Sequence, residues 1–204
     1  MEMVKRLECL YRGPWIKINF YQQIPPHSQN ALKNLNFCEA LNEAKVIGPI
    51  IIDLKKLTHP GERFVFLREG NHEEVYRNCQ KAGKGVNKEK FFSLISAIPQ
   101  LHPEYRYIGL EMENEADIYL SHLPPSQLGK LIWDYHTITG QRLKISLTGI
   151  LGVCGEVTVG SFIKQNITIA LTCEVSRQKC SIPRETFVVG VPHPLAKKLL
   201  EGKR

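Results

Sequence analysis

The chain has 204 residues, 43% of them hydrophobic and 23% charged, the make-up of a globular protein with room for a substantial core. A net charge of +7 and a pI near 9.1 favour acidic partners over basic ones. The start, Met1-Glu2-Met3-Val4-Lys5-Arg6-Leu7, is charged, and no uncharged apolar stretch approaches the ~18 residues of a membrane span. Export and membrane insertion are therefore not expected, and the cytoplasm is the expected location.

Taken in chain order, strands and helices alternate irregularly. Trp15-Ile16-Lys17-Ile18-Asn19-Phe20 alternates apolar with polar residues and predicts a half-buried strand, stopped by Pro25-Pro26. Residues 30–45 carry Leu32, Leu35, Ala40, Leu41 and Ala44 at helical spacing. Residues 46–54 read as a buried strand interrupted by Gly48-Pro49, and residues 64–67 as another. A helix over 88–98 turns Phe91, Phe92, Leu94, Ile95 and Ile98 inward, and residues 105–112 and 116–123 predict two more strands.

In the second half, Ser126 is the expected N-cap of a helix that carries Leu128, Leu131, Ile132 and Tyr135 as far as Gly140. A helix over 154–164, strands over 167–173 and 186–191, and a closing helix over 195–200 complete the chain. This order predicts an α+β fold: one compact domain spanning residues 1–204, with a mixed sheet packed by helices.

Basic residues gather twice, as Arg77, Lys81, Lys84, Lys88 and Lys90 and as Lys197, Lys198, Lys203 and Arg204. Either group could meet a phosphate-bearing ligand or nucleic acid. No aromatic residue interleaves the lysines, so a solvated loop and tail are the simpler reading, and nucleic acid is the weakest of the candidate partners. Glu111, Glu113, Glu115 and Asp117 would share one face of an extended strand and could hold a hard cation, or form a solvated turn.

The order of several short motifs resembles the prokaryotic "domain of unknown function 169" family. It runs from Arg12-Gly13-Pro14-Trp15-Ile16-Lys17 to Ile24-Pro25, then Phe37-Cys38-Glu39-Ala40, Cys79 and Ala116-Asp117-Ile118-Tyr119-Leu120. Residues 127–140, Cys154-Gly155-Glu156, Ser176-Arg177 and Val189-Gly190-Val191-Pro192 continue it. The resemblance implies a protein of archaea and anaerobic bacteria, and it implies no particular reaction.

Six cysteines without an export signal call for packing, metal binding or redox chemistry. Cys38, Cys79, Cys154 and Cys173 are the candidate metal ligands, because three of them begin or end predicted elements. A zinc ion or an iron–sulfur cluster needs about four such ligands converging on one point. Against this, no Cys-x-x-Cys pair is present, and a free cysteine commonly packs as a small hydrophobe. Cys9 and Cys180 are read as incidental, and no structural disulfide is expected.

Gly149, Gly152 and Gly155 recur at every third position around Cys154. Gly152 and Gly155 could open the backbone to a bound cofactor, and a thiolate at a helix start would have a depressed pKa. Glu156 could then accept a proton. Equally, the glycines could serve only to pack this helix against the strands. Arg177 is placed at the rim of such a site, where it could hold a carboxylate or phosphate bidentately.

Two functions remain in view. One is a protein that binds metal or an iron–sulfur cluster through cysteines, for redox or cofactor metabolism. The other is a non-enzymatic module for an anionic small-molecule ligand, with cysteines that only pack.

Overall fold

A computed structural model describes residues 2–26, 28–81, 87–113, 115–173, 177 and 182–202. Its centre is one seven-stranded sheet, in the order β2-β3-β4-β1-β5-β7-β6. The strands are β1 (Trp15–Tyr21), β2 (Leu32–Lys33), β3 (Ile50–Asp53), β4 (Tyr107–Leu110), β5 (Ile118–Leu123), β6 (Thr168–Leu171) and β7 (Phe187–Pro192). Only β2 and β3 run parallel; the other pairings are antiparallel. The fold is α+β, as the sequence predicts.

Side chains alternate across the sheet with the period of two that a pleated strand imposes. Ile16, Ile18, Ile118, Leu120, Ala170 and Val188 face one core. Trp15, Tyr119, Ile169, Val189 and Val191 face the other. The first core is closed by α2 (Phe37–Ile47), α3 (Pro60–Leu67), α4 (His72–Lys81), α5 (Lys88–Ser96) and the buried helical segment Gly152–Val159, which runs into α7 (Gly160–Lys164). The second is closed by α1 (Glu2–Tyr11), α6 (Pro125–Thr139) and α8 (His193–Glu201). Burial of Leu7, Tyr11, Leu128, Leu131, Tyr135 and Leu199 fastens that layer, at ~25 cal/mol per Å² of apolar surface removed from water.

Several elements differ from the sequence expectation. Residues 64–67 belong to α3 and are not a strand. Pro60 presets the first helical turn, and a short buried apolar run reads the same in either state. The helix expected over 30–45 begins only at Phe37, where the Asn36 N–H donates to Glu39 Oε2 at 3.3 Å. Leu32 and Lys33 lie in β2 instead. The cap of α6 is Pro124 rather than Ser126, and Ile132 is only partly buried. The helices α1 and α4 are found where no helix was expected. No helix among the described residues is long and apolar enough to cross a membrane.

β1 departs from the half-buried pattern as well, because Lys17 and Asn19 are buried. At Ile18 the sheet changes hands: β4 pairs with residues 18–21 and β5 with residues 15–18 on the opposite edge. Beyond each pairing, the acidic segment 111–117 takes over. The Lys17 N–H donates to Glu111 Oε1 at 2.8 Å and the Phe20 N–H to Asp117 Oδ2 at 2.7 Å. Glu111 sits in the left-handed region at φ 54°. Lys17 Nζ donates to the Met112 carbonyl, and Asn19 Nδ2 to the Glu115 carbonyl at 2.6 Å. The run is thus not a strand face: Glu113 and Glu115 are exposed, as in a solvated turn, while the carboxylates of Glu111 and Asp117 complete the hydrogen bonding of β1.

Burial raises the pKa of both Glu111 and Asp117, although the backbone N–H bonds oppose the shift. Each carboxyl therefore holds its proton more tightly in the fold than in the open chain. That contribution to stability is full below the ordinary carboxyl values of about 4, and it is lost as pH rises through the higher folded values. Asp117→Asn keeps an acceptor for Phe20 and removes the charge. Urea unfolding at pH 4 and pH 7 should show the variant gaining on the parent at the higher pH. An equal loss at both pH values would contradict this balance.

Candidate functional site

The segment Gly152–Val159 is a π-helix of eight residues, all of them buried. Such helices are rare, occur mostly as single turns, and are frequent at functional sites. Leu151 opens it in a left-handed conformation at φ 51°. Its carbonyl accepts from Gly155 N–H at 2.8 Å and from Glu156 N–H at 3.3 Å. Hydroxyls complete other carbonyls: Thr158 Oγ1 donates to Val153 O at 2.7 Å, and Thr168 Oγ1 to Val157 O at 3.1 Å.

Gly152 and Gly155 set how closely this helix approaches its neighbours. A Cβ on Gly152 would run into the Leu171 carbonyl of β6, and one on Gly155 into the Ile98 side chain. Both glycines thus pack closely, Gly152 against β6 and Gly155 against Ile98 just beyond α5.

Cys154 lies in the middle of this helix. Burial pushes its thiol pKa well up, and the charges of Glu62 and Cys173 push it further. Glu62 of α3 is itself buried and accepts the Phe37 N–H at the start of α2, at 3.0 Å. The direction is opposite to the depressed pKa expected of a helix-start thiolate. Backbone N–H groups of Gly155 and Cys154 favour the anion, but burial and the neighbouring charges outweigh them.

Cys38 lies in the first turn of α2 and Cys79 in the last turn of α4, both partly buried against the core that holds Cys154. Cys173 follows β6. Cys9, Cys38, Cys79, Cys154 and Cys173 form no disulfide among the described residues; Cys180 lies outside the described residues. Among the described residues, no three His, Cys, Asp or Glu side chains gather as a metal-binding group.

Arg177 fastens the chain after β6. Its N–H donates to the Cys173 carbonyl at 3.1 Å, its Nε to Thr172 O at 3.2 Å and its Nη1 to Pro183 O at 3.0 Å. The charge of Arg177 reaches His122 of β5. Burial, then the charges of Lys45 and Arg177, lower the His122 pKa to about 4, so the imidazole is neutral near pH 7. His122 and Thr172 are each more than nine-tenths buried, yet His122 Nε2 and Thr172 Oγ1 have no hydrogen-bond partner among the described residues. A buried polar atom without a partner costs ~1–3 kcal/mol. The charges of Lys45 and Arg177 act on one of these two groups, His122.

Sequence reading reached Arg177 but not His122, Thr172 or Lys45. The available signal was the inward register 118, 120, 122 of β5, which turns a lone histidine into the first core. Of the basic stretch, Arg77 and Lys88 are both paired to Glu73, at 3.3 and 2.5 Å. Lys84 lies outside the described residues, as do Lys203 and Arg204.

A family model for the domain of unknown function 169 (DUF169), described as an uncharacterised ArCR, matches residues 18–202. The chain belongs to the DUF169 family. No curated protein and no solved structure matches it. The matched span takes in the π-helix, Arg177, His122 and Thr172, so the polar cluster lies within the DUF169 region.

Two substitutions test this geometry. Gly152→Ala in this DUF169 protein should cost about 1–3 kcal/mol in denaturant unfolding, since the neighbouring atom is backbone and yields little. Gly129→Ala in α6 has open space around it and should be neutral or stabilising by up to ~1 kcal/mol. Equal effects would contradict the tight seating of the π-helix. Alkylation of the native protein followed by mass spectrometry should label exposed Cys9 rapidly and Cys154 only after unfolding. Early labelling of Cys154 would show an accessible thiolate.

Proposed function

We propose that this DUF169 protein binds a small anionic molecule near the ends of β5 and β6, where the charges of Lys45 and Arg177 act on His122 and Arg177 donates to the Thr172 carbonyl. The observation that carries this reading is the pair of buried atoms without partners among the described residues, His122 Nε2 and Thr172 Oγ1, with two positive charges acting on His122. A carboxylate or phosphate oxygen accepts from the His122 N–H tautomer and from the threonine hydroxyl, and it neutralises the cations. Arg177, already anchored on two carbonyls, presents its remaining N–H groups without further ordering cost. The cysteines serve packing in this reading: Cys154 is buried and stays protonated, while Cys38 and Cys79 pad the same core.

Thermal-shift and calorimetric titration with inorganic phosphate, pyrophosphate and citrate tests the reading. At least one of these anions should stabilise the protein, and Arg177→Ala should weaken it about ten- to a hundred-fold, as loss of a charge-assisted hydrogen bond does. Binding should also raise the His122 pKa from about 4, because an anion offsets the two cations that hold it down; NMR titration of the ring measures this. Binding unaffected by Arg177→Ala would contradict the reading. A cysteine-held metal makes a different forecast: stoichiometric zinc or iron in protein purified without oxygen, lost in Cys154→Ser. That result would replace the anion reading.

A further inference from the structure

Beside the π-helix, a cavity of about 270 Å³ opens between the segment 144–146 and the helix. It is lined by Lys144, Ser146, Glu156, Lys164, Asn166 and Thr168, among others. Glu156 projects from the π-helix, and its side chain is only 6% exposed. Its Oε1 accepts from Lys164 Nζ at 2.6 Å. Its Oε2 takes no hydrogen bond from any described residue and is not sealed from the cavity. Lys144 is exposed and makes no ion pair with a described residue. Thr168 Oγ1 donates to Val157 O, which leaves the lone pairs of its oxygen able to accept.

The lining thus presents a buried carboxylate with an open oxygen and, from the neighbouring segment, a cation. A simple anion entering here meets the Glu156 charge, and a simple cation meets two lysines. Only a molecule carrying both signs satisfies both groups. We infer that this cavity is a second binding site, for a small amino acid. The ligand ammonium donates to Glu156 Oε2 and Thr168 Oγ1, and the ligand carboxylate pairs with Lys144. The volume suits a small side chain and excludes a nucleotide.

Calorimetric titration with the twenty standard amino acids, and with propionate and ethylamine as single-charge controls, tests the site. With Arg177→Ala protein, in which the proposed anion cluster is disabled, at least one amino acid should bind saturably, and neither control should. Glu156→Gln, which keeps the packing volume, and Lys144→Met, which alters only an exposed side chain, should each weaken binding about tenfold or more. Should Glu156→Gln not fold, Lys144→Met alone decides. Arg177→Ala, which removes the anion cluster, should leave amino-acid binding unchanged. Absence of binding by any amino acid, equal binding by propionate or ethylamine, or insensitivity to Lys144→Met would overturn the inference. A loss in Arg177→Ala as large as that in Lys144→Met would overturn it too, by moving the ligand to the anion cluster.

Discussion

The seating of the buried π-helix on the sheet is the constraint around which the first core is arranged. Eight consecutive buried residues bring their peptide groups with them, and buried peptide groups must be hydrogen-bonded. The wide turn does part of this, and the hydroxyls of Thr158 and Thr168 do more. The helix lies close to the sheet because Gly152 meets β6 without a side chain. Gly190 of β7 does the same from the sheet, facing the Val157 carbonyl and side chain. A π-turn is wider than an α-turn and holds more residues per turn. Cys154 faces Glu62 and the core, while Glu156 faces the cavity beside Lys164.

Electrostatics in this fold is mostly a matter of carboxylates replacing absent partners. Glu111 and Asp117 stand in for strands that have ended, and Glu62 takes the first N–H of α2. Tyr11 of α1 donates to Asp134 of α6 at 3.2 Å, so a buried acid ties two helices of the second layer together. Each arrangement spends a buried charge on a backbone or phenol donor, which keeps it from acting as a free acid or base. The cluster around His122 is the reverse case. There the charges of Lys45 and Arg177 act on a neutral imidazole whose Nε2 has no hydrogen-bond partner among the described residues, and this contrast makes it the place to look for a ligand.

Much of this was legible from residue order. Strands β1, β4, β5, β6 and β7 announce themselves by apolar runs bounded by Pro, Gly or acids, and Gly140 stops α6 in the left-handed conformation expected of it. The glycines around Cys154 mark the segment that packs closely on the sheet. What periodicity cannot carry is the difference between a 3.6-residue and a wider turn, since the segment is apolar all round and shows no preferred face. Helix α3 was mistaken for a strand for the same reason: Phe64, Val65 and Phe66 are all buried. The site was only half legible. Arg177 stood out beside a motif, but His122 and Thr172 become a pair only when β5, β7 and β6 are placed in register, His122 opposite Val188 and Ala170 opposite Val188 from the other side.

The central claim is that a charge-poor pair of buried atoms and their neighbouring cations await an anion. A crystal structure of the protein grown with citrate or phosphate tests it most directly. The account predicts density for the anion within hydrogen-bonding distance of His122 Nε2, Thr172 Oγ1 and the Arg177 guanidinium, with the π-helix unchanged. Those two atoms bonded to protein groups, with no anion beside them at saturating concentration, would contradict it.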